Sequence, residues 1–319
     1  MVAKKVMARR NVKMTDFQRD NAIIAGPAKP AARGSFVYMR RKRDGVDSGP
    51  IIRRKQDGSL EFQHDALTIE EPLEIRLGRK ILATTMRTPG HDEELAAGFL
   101  VSEGIVRAPD QIEKITRAED NVVAVELIDG LKPKLSSARR FGTISTSCGI
   151  CGKNSIADIR QNFPVIATGK NVRIEVKTLL SLPLLLQKQQ GNFARTGGIH
   201  AAGLFDLNGE PKVVREDIGR HNAVDKVIGR AFLDRLLPLD RHLLLVSGRA
   251  SFEIVQKALA ASLPIVAAVS APSTLAVIFA RENNQTLIGF LRPPSFNIYS
   301  HVERVKLDVD AASSRVPSS

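Results

Sequence analysis

The stretch "HLLLVSGRASFEIVQKALAASLPIVAAVSAPSTLAVIFARENNQTLIGFLRPPS", residues 242–295, decides the fold, because short apolar runs alternate in it with longer runs of helical character. "HLLLVSG", "PIVAAVSAPS" and "TLIGFLRPPS" are typical of buried strands, whereas "SFEIVQKALAA" and "TLAVIFAREN" are typical of helices. The order strand, helix, strand, helix, strand builds a parallel sheet that is covered by helices. This half of the chain is therefore predicted to be of the α/β class.

Small, polar and partly cationic loops follow these three strands, namely "SGRAS", "SAPS" and "RPPS". Ligands of parallel sheets bind beyond the carboxyl ends of the strands, where the N–H groups of helix starts accept anions. Arg249 and Arg292 would add full positive charges for a phosphate-bearing ligand. The same loops also suit ordinary turns, which use Gly, Ser and Pro for their geometry.

The segments before this stretch indicate a mixture of hairpins and helices. "LEIRLGRKILATTM" (73–86) is predicted to turn at Gly78, "NVVAVELIDGLKPKL" (121–135) at Asp129-Gly130, and "HAAGLFDLNGEPKVVRE" (200–216) at Asn208-Gly209. Helices are expected in "TPGHDEELAAGFLVSEG" (88–104), with Gly104 as its stop, and in "RHNAVDKVIGRAFLDR" (220–235), with Asn222 as its N-cap. The first half is thus predicted to be α+β.

The segment "REDIGRHN", residues 215–222, places several charged groups just before a helix start. Arg220 and His221 could present positive charge to a phosphate there, with Glu216 and Asp217 orienting them. A polar helix start with an internal salt bridge explains the segment equally well. "ARTGGIHAAG" adds Arg195 and His200 beside two glycines, which fits either an anion pocket or a flexible turn.

Composition excludes several classes of protein. The net charge of +13 is concentrated in residues 1–55, which hold 15 Lys and Arg against 4 Asp and Glu, so the remainder is nearly neutral. This partition predicts a solvated tail and makes nucleic acid a secondary partner at most. Two cysteines cannot build a disulfide scaffold, and no apolar run is long enough for a membrane span or secretory signal. A soluble cytoplasmic protein is expected.

Both cysteines lie in "TSCGICGK", residues 146–153. The deaminase type of zinc site is a poor match, because Ser147 stands where that signature has proline. A structural zinc site would need further ligands, so no metal ligands are assigned. A dithiol redox role and a sulfur carrier role remain, since glycines make the loop pliable and Lys153 favours a thiolate.

Seven segments together resemble one family, the formate dehydrogenase accessory sulfurtransferases of the FdhD type. They are "RTPGHDEELAAGFLVSEGI", "TSCGICGK", "RTGGIHAAGLF", "REDIGRHNAVDKVIG", "SGRASFEIVQKA", "VSAPSTLAV" and "TLIGFLRPPSFNIYSH". The resemblance runs in order from about residue 51 to residue 301 and leaves out the basic tail. It implies a sulfurtransferase that accepts persulfide sulfur from a cysteine desulfurase and passes it to the bis(molybdopterin guanine dinucleotide) molybdenum cofactor of formate dehydrogenase.

The resemblance also implies residue roles. Cys148 would carry the persulfide and Cys151 would assist its release. The segment that would bind the cofactor comprises Phe290, Leu291, Arg292, Pro293, Pro294 and Ser295. An aromatic ring there can stack on guanine and an arginine can meet a phosphate. Arg220 and His221 are added to this site from the charge pattern described above, and a CxxC redox or zinc-binding regulatory protein remains the alternative.

The implied architecture is an α/β homodimer with a cytidine deaminase-like, three-layer C-terminal domain and a smaller β-rich N-terminal subdomain. The acceptor would be the catalytic subunit of formate dehydrogenase. The expected divisions are a basic disordered tail (1–50), an α+β subdomain (51–145), a mobile CxxC loop (146–160), the cofactor-binding domain (161–308) and a flexible C-terminus (309–319).

Overall fold

The structure, a computed structural model, describes residues 45–131, 163–167 and 172–307, and the backbone of residues 143–144. The strands are β1 Val46–Arg54, β2 Leu60–Thr68, β3 Glu71–Leu77, β4 Lys80–Arg87, β5 Ile112–Glu119, β6 Val122–Leu127, β7 Thr143–Ile144, β8 Ile174–Glu175, β9 His200–Asp206, β10 Pro211–Asp217, β11 His242–Val246, β12 Ile265–Ala268, β13 Thr286–Arg292, β14 Ser295–Ser300 and β15 Val305–Lys306. The α-helices are α1 Asp92–Ser102, α2 Val176–Lys188, α3 Gly191–Thr196, α4 Arg220–Leu233, α5 Phe252–Ala260 and α6 Thr274–Glu282. Within these ranges, none of the helices is long and apolar enough to cross a membrane.

The described residues fall into two compact units. The smaller unit consists of residues 48–65, which form most of the β1–β2 hairpin, and the larger unit consists of residues 45–47 and 66–307. Strand β1 begins at Val46, inside the segment predicted as the basic tail. Pro50 is tolerated in this strand because β1 is an edge strand of its two-stranded sheet.

The larger unit contains a six-stranded sheet in the order β10-β9-β11-β12-β13-β14. β11 pairs with β12 and β12 with β13 in parallel, and α5 and α6 connect these strands. The predicted strand and helix alternation is therefore confirmed. β9, β10 and β14 are antiparallel additions, and the predicted turn at Asn208-Gly209 lies between β9 and β10 with Gly209 at φ +87°.

Helices cover both faces of this sheet, as the alternating side chains of β11 show. Leu243 and Leu245 belong to the core beneath α2, whereas Leu244 and Val246 belong to the core beneath α4, α5 and α6. Successive strand residues point to opposite faces, so each face of β11 is buried by a different helical layer. The predicted three-layer α/β/α arrangement of the C-terminal part is confirmed.

A second, five-stranded sheet has the order β5-β6-β3-β4-β7. Its β3–β4 hairpin turns at Gly78 (φ +57°), and α1 ends before Gly104 (φ +69°), both as predicted. The hairpin expected to turn at Asp129-Gly130 has its second arm outside the described residues. Instead β6 forms an antiparallel pair with β5, across a turn that holds Asn121 at φ +63°.

Close packing of α1 on α4 joins the two sheets in one hydrophobic core. Gly98 of α1 approaches the backbone of Asp225, and Gly229 of α4 approaches the backbone of Glu94. Because a side chain at either glycine would collide with backbone, these residues set the distance between the helices. The predicted division between residues 145 and 161 falls on residues that are outside the described ranges.

Candidate functional site

Three loops meet at the carboxyl ends of the parallel strands. The loop after β11 contacts the loop after β12, since Ala250 N donates to Ala271 O (3.2 Å) and Ser273 N donates to Ala250 O (3.0 Å). The loop after β12 in turn contacts β13, where Phe290 N donates to Ser270 O (3.1 Å). The segments "SGRAS", "SAPS" and "RPPS" therefore form one continuous edge, which we call the carboxyl edge.

The antiparallel strands extend this edge to His200 and Asp217, which face each other at the start of β9 and the end of β10. A Cβ atom built on Gly248 would lie 3.3 Å from His200 Nδ1 and 3.7 Å from Arg220 Cδ. Gly248 thus brings the loop after β11 against the side chains of His200 and Arg220. His200, Arg220 and Gly248 belong to three separate motifs of the sequence. They come together in the fold because β9 pairs with β11.

The electrostatics of this cluster favour an anion. Partial burial lowers the pKa of His200 below its usual value, and the positive charges of Arg220 and Arg249 lower it further, although Asp217 opposes them. The shift shows that His200 sits in the positive field of both guanidinium groups. Arg249 is exposed, so its charge is available to a ligand at the carboxyl edge.

His221 lies behind the edge and is 7% exposed. Its Nε2 is 2.9 Å from Ser251 Oγ and 3.7 Å from Glu253 Oε2. Ser251 is the N-cap residue of α5, but its side chain makes no capping bond to the helix. The His221–Ser251 pair therefore ties the first turn of α4 to the first turn of α5. Because the His221 side chain is buried, it can position the loop after β11 but offers little surface for contact with a large ligand.

The orienting role predicted for Glu216 and the N-cap role predicted for Asn222 are wrong. Glu216 accepts bonds from Asn192 N (2.9 Å) and Phe193 N (2.8 Å), so it satisfies the first turn of α3. The N-cap of α4 is Gly219, because the helix already begins at Arg220. Asn222 is nearly buried and its Nδ2 donates to Met86 O (2.8 Å), which holds α4 against β4.

Asp217 is fully buried and organises the chain between β10 and α4. It accepts bonds from Gly219 N (2.8 Å) and Thr88 N (3.2 Å), and it forms a 2.7 Å ion pair with Lys226 Nζ. Lys226 also donates to Thr88 O (2.9 Å). Asp217 thus fixes the backbone that presents Arg220.

The predicted cofactor segment forms the end of β13 and its turn into β14. Phe290 is 40% exposed, with φ +51° at an irregularity in the β13–β14 pairing, whereas Leu291 is fully buried in the core beneath α2. Arg292 is exposed and its Nε donates to Val269 O (2.9 Å). Pro293, Pro294 and Ser295 are exposed. Five of the six residues can thus meet a ligand with their side chains, and Leu291 only with its backbone.

Cys148, Cys151 and the loop 146–160 lie outside the described residues. Their predicted roles therefore stay predictions. In the parts of the chain that are described, no group of three or more His, Cys, Asp or Glu side chains is arranged to hold a metal ion.

Fold and site together define an α/β protein of three layers with a cationic, aromatic-flanked edge at the carboxyl ends of its parallel strands. Residues 68–306 match the model of the FdhD/NarQ family. The chain belongs to this family, which confirms the resemblance stated from its motifs.

Named relatives support this assignment over most of the chain. The "Sulfur carrier protein FdhD" of Streptomyces avermitilis is 49% identical over 272 residues, which are 82% of this chain and 96% of that protein. The protein of the same name from Sulfolobus acidocaldarius is 42% identical over 256 residues, 80% of this chain and 97% of that one. A crystal structure of a formate dehydrogenase accessory protein from Desulfotalea psychrophila shares the fold, with a TM-score of 0.67 at 23% identity, covering 82% of this chain and all of that one.

Proposed function

We propose that this protein is a sulfurtransferase that serves formate dehydrogenase. Cys148 accepts sulfur from a cysteine desulfurase as a persulfide and delivers it to the bis(molybdopterin guanine dinucleotide) molybdenum cofactor, which is bound as a substrate. The acceptor enzyme is the catalytic subunit of formate dehydrogenase, and the working unit is a homodimer in the cytoplasm.

The observation that carries the proposal is the combination of family membership with the CxxC segment. Relatives that cover four fifths of the chain are named sulfur carriers, and a neighbouring fold is named a formate dehydrogenase accessory protein. The chain keeps its only two thiols in one glycine-flanked segment, residues 146–153. A sulfur carrier needs an accessible thiolate and a second thiol nearby.

The two thiols of the CxxC segment, with cellular thiols as the reductant, account for both sulfur-transfer steps. In loading, the Cys148 thiolate attacks the outer sulfur of the desulfurase persulfide, the donor S–S bond breaks, and the donor cysteine leaves as a thiolate. In delivery, the Cys151 thiolate attacks Cys148 Sγ and releases the outer sulfur as hydrosulfide. The resulting Cys148–Cys151 disulfide is then reduced by cellular thiols before the next cycle.

The carboxyl edge fits an anionic guanine dinucleotide. Arg220 and Arg249 supply positive charge beside Gly248, and Arg292 supplies more beside the exposed ring of Phe290. Guanidinium groups bind phosphate oxygens in pairs, and an exposed ring stacks on a base. The edge is continuous from Gly248 to Arg292 through the backbone bonds described above, so one elongated ligand can span both ends.

The loading step is tested by intact mass measurement after incubation with a cysteine desulfurase and cysteine. A gain of about 32 Da in the wild type, lost in Cys148→Ala, is the expected result. Cys151→Ala should still gain the sulfur, because Cys151 acts only in delivery. Stoichiometric zinc that both substitutions remove, without any sulfur gain, would instead favour a zinc-binding regulatory protein.

The delivery step is tested in cells that express only a variant protein. Cys148→Ala should abolish formate dehydrogenase activity while the dehydrogenase polypeptide accumulates normally. Full activity with Cys148→Ala would refute the proposed chemistry.

A further inference from the structure

A cavity of about 230 Å³ lies at the opposite edge of the six-stranded sheet from Gly248. Asp240 and Pro264 in its wall precede β11 and β12, so it opens at the amino ends of the parallel strands. Most of the wall is apolar and comes from residues such as Pro164, Ile166, Val172 and Pro238. It shares no residue with the carboxyl edge.

Arg304 lines this cavity although it is only 7% exposed. Its NH1 donates to Thr286 Oγ1 (3.2 Å), and the same nitrogen is 3.7 Å from the carboxylate of Glu303, whose side chain is 59% exposed. Among the described residues these are its only side-chain partners. A guanidinium carries five N–H donors in a rigid fork, so most of its donor capacity remains for something in the cavity.

Burial makes this arrangement costly for the protein alone. It lowers the pKa of Arg304 below the usual arginine value, and the charge of the solvated Glu303 carboxylate, 3.7 Å away, offsets this lowering only in part. A buried cation is normally paired with a hydrogen-bonded anion. An oxyanion in the cavity, hydrogen-bonded to the guanidinium N–H groups of Arg304, would supply the missing part of the counter-charge.

We propose that this cavity, the Arg304 pocket, binds a small monocarboxylate with a short apolar chain. The carboxylate would accept two parallel bonds from Arg304, and the chain would pack on Ile166 and Val172. The pocket is smaller than typical ligand cavities of roughly 300–1,000 Å³, which excludes large ligands. Asp240 in the wall opposes negative charge, and it opposes a dianion more strongly than a single carboxylate that Arg304 can neutralise.

The wall that would receive the chain is held in place. Ile166 N donates to Asn283 O (3.2 Å), and Asn284 Nδ2 donates to Ile166 O (2.8 Å). These bonds fix residues 163–167 to the end of α6. This side of the pocket is therefore in place without a ligand, and its occupation needs no rearrangement of residues 163–167.

Trifluoropropionate is a suitable probe, because fluorine NMR of the full-length protein reports its binding directly. The wild type should bind it, and nuclear Overhauser effects should connect its fluorines to the methyl groups of Ile166 or Val172. Arg304→Met, which keeps side-chain length and removes the charge, should weaken binding by at least about tenfold. Trifluoropropylamine, of similar shape and opposite charge, should bind far more weakly than the carboxylate.

Arg281→Met is the matched control, since Arg281 is an exposed arginine of α6 outside the pocket wall, and its affinity should match the wild type. Should circular dichroism show that Arg304→Met is unfolded, the comparison of the two probes and the Overhauser contacts in the wild type decide the matter. Absence of binding to the wild type, equal affinity in a folded Arg304→Met, or tighter binding of the amine would each overturn the proposal.

Discussion

Gly229 of α4 lies so close to α1 that a Cβ atom built on it would be 1.8 Å from the backbone oxygen of Glu94. Gly98 of α1 has the same relationship to the backbone oxygen of Asp225, also at 1.8 Å. The two contacts are reciprocal, and the obstacle in each is backbone, which cannot rotate away. This helix pair joins the two sheets of the larger unit, so its spacing matters for the whole core.

Gly229→Ala should therefore destabilise the protein by about 3 kcal/mol or more, because the helices must separate to admit a methyl group. Urea unfolding followed by circular dichroism measures the change. Gly191→Ala is the control, since a Cβ atom at Gly191 meets nothing within 4 Å and the residue begins a helix. Equal stability of the two variants would show that the helices are not packed as described.

Lys226→Met tests the buried ion pair with Asp217, whose side chains are 1% and 0% exposed. Removal of the lysine leaves the Asp217 carboxylate buried without its counter-charge, and we expect a loss of about 3–5 kcal/mol. Asp217→Asn should rescue part of this loss, because it removes the charge and keeps an acceptor for Gly219 N. A double-mutant cycle by urea unfolding should give a coupling of at least about 1 kcal/mol, and simple additivity would contradict a functional pair.

The secondary structure around these contacts was largely predictable from the sequence, because local signals agree with the fold. Period-two and helical patterns located β3, β4, α1 and the β11–β13 unit, and turn residues such as Gly78 and Gly209 marked the hairpins. The start of α4 was misplaced because Asn222 is a good capping residue in isolation, whereas in the fold its amide bonds to β4. Propensity was overridden there by a tertiary contact.

The site was predictable only in pieces. Arg220, His200 and Gly248 lie on three separate elements, and they meet because β9 pairs antiparallel with β11 rather than only with β10. No local pattern specifies which strand joins the edge of a parallel unit. The burial of His221 and its bond to Ser251 likewise depend on the packing of α4 beside α5, which the charge pattern of the segment does not reveal.

Glu94 should make stability depend on acid pH. Burial alone would raise the pKa of its carboxyl, but hydrogen bonds from Arg215 and His91, with their charges, outweigh burial and lower the pKa from 4.5 to about 2. A carboxyl with a lowered folded-state pKa stabilises the fold above its unfolded pKa, and this stability is lost as pH falls from about 4.5 towards 2. Urea unfolding across this window should show the steepest loss for the wild type.

Glu94→Gln is the matched variant, because it keeps the shape and cannot ionise. It should be clearly less stable than the wild type at pH 7, and the difference should shrink as pH approaches 2. A difference that stays constant over this range would mean that the Arg215–Glu94 ion pair, with Nε to Oε2 at 2.6 Å, does not act through charge.

Arg249→Gln should weaken the binding of guanosine diphosphate by about tenfold, with little effect on guanosine, because Arg249 would meet phosphate and not the base. Isothermal titration calorimetry at fixed salt measures the affinities for both ligands.

In the wild type the affinity for guanosine diphosphate should rise as pH falls below 6.5, since protonation of His200 adds a positive charge and its pKa lies below that value in the free protein. His200→Gln should show a smaller rise, and an identical pH profile would remove His200 from the site.

Phe290 combines exposure of 40% with a φ of +51°, a backbone conformation that costs a non-glycine residue energy. Phe290→Gly relieves that strain, so its stability should stay within about 1 kcal/mol of the wild type despite the flexible backbone it introduces in the unfolded chain. Loss of the ring should weaken guanosine diphosphate binding by about 1–3 kcal/mol, the usual worth of stacking on a base. Phe290→Ala keeps the strain and also loses the ring, so urea unfolding should rank it below Phe290→Gly. Undiminished nucleotide affinity in both variants would show that guanine stacks elsewhere and that the conformation at position 290 serves the β13–β14 turn alone.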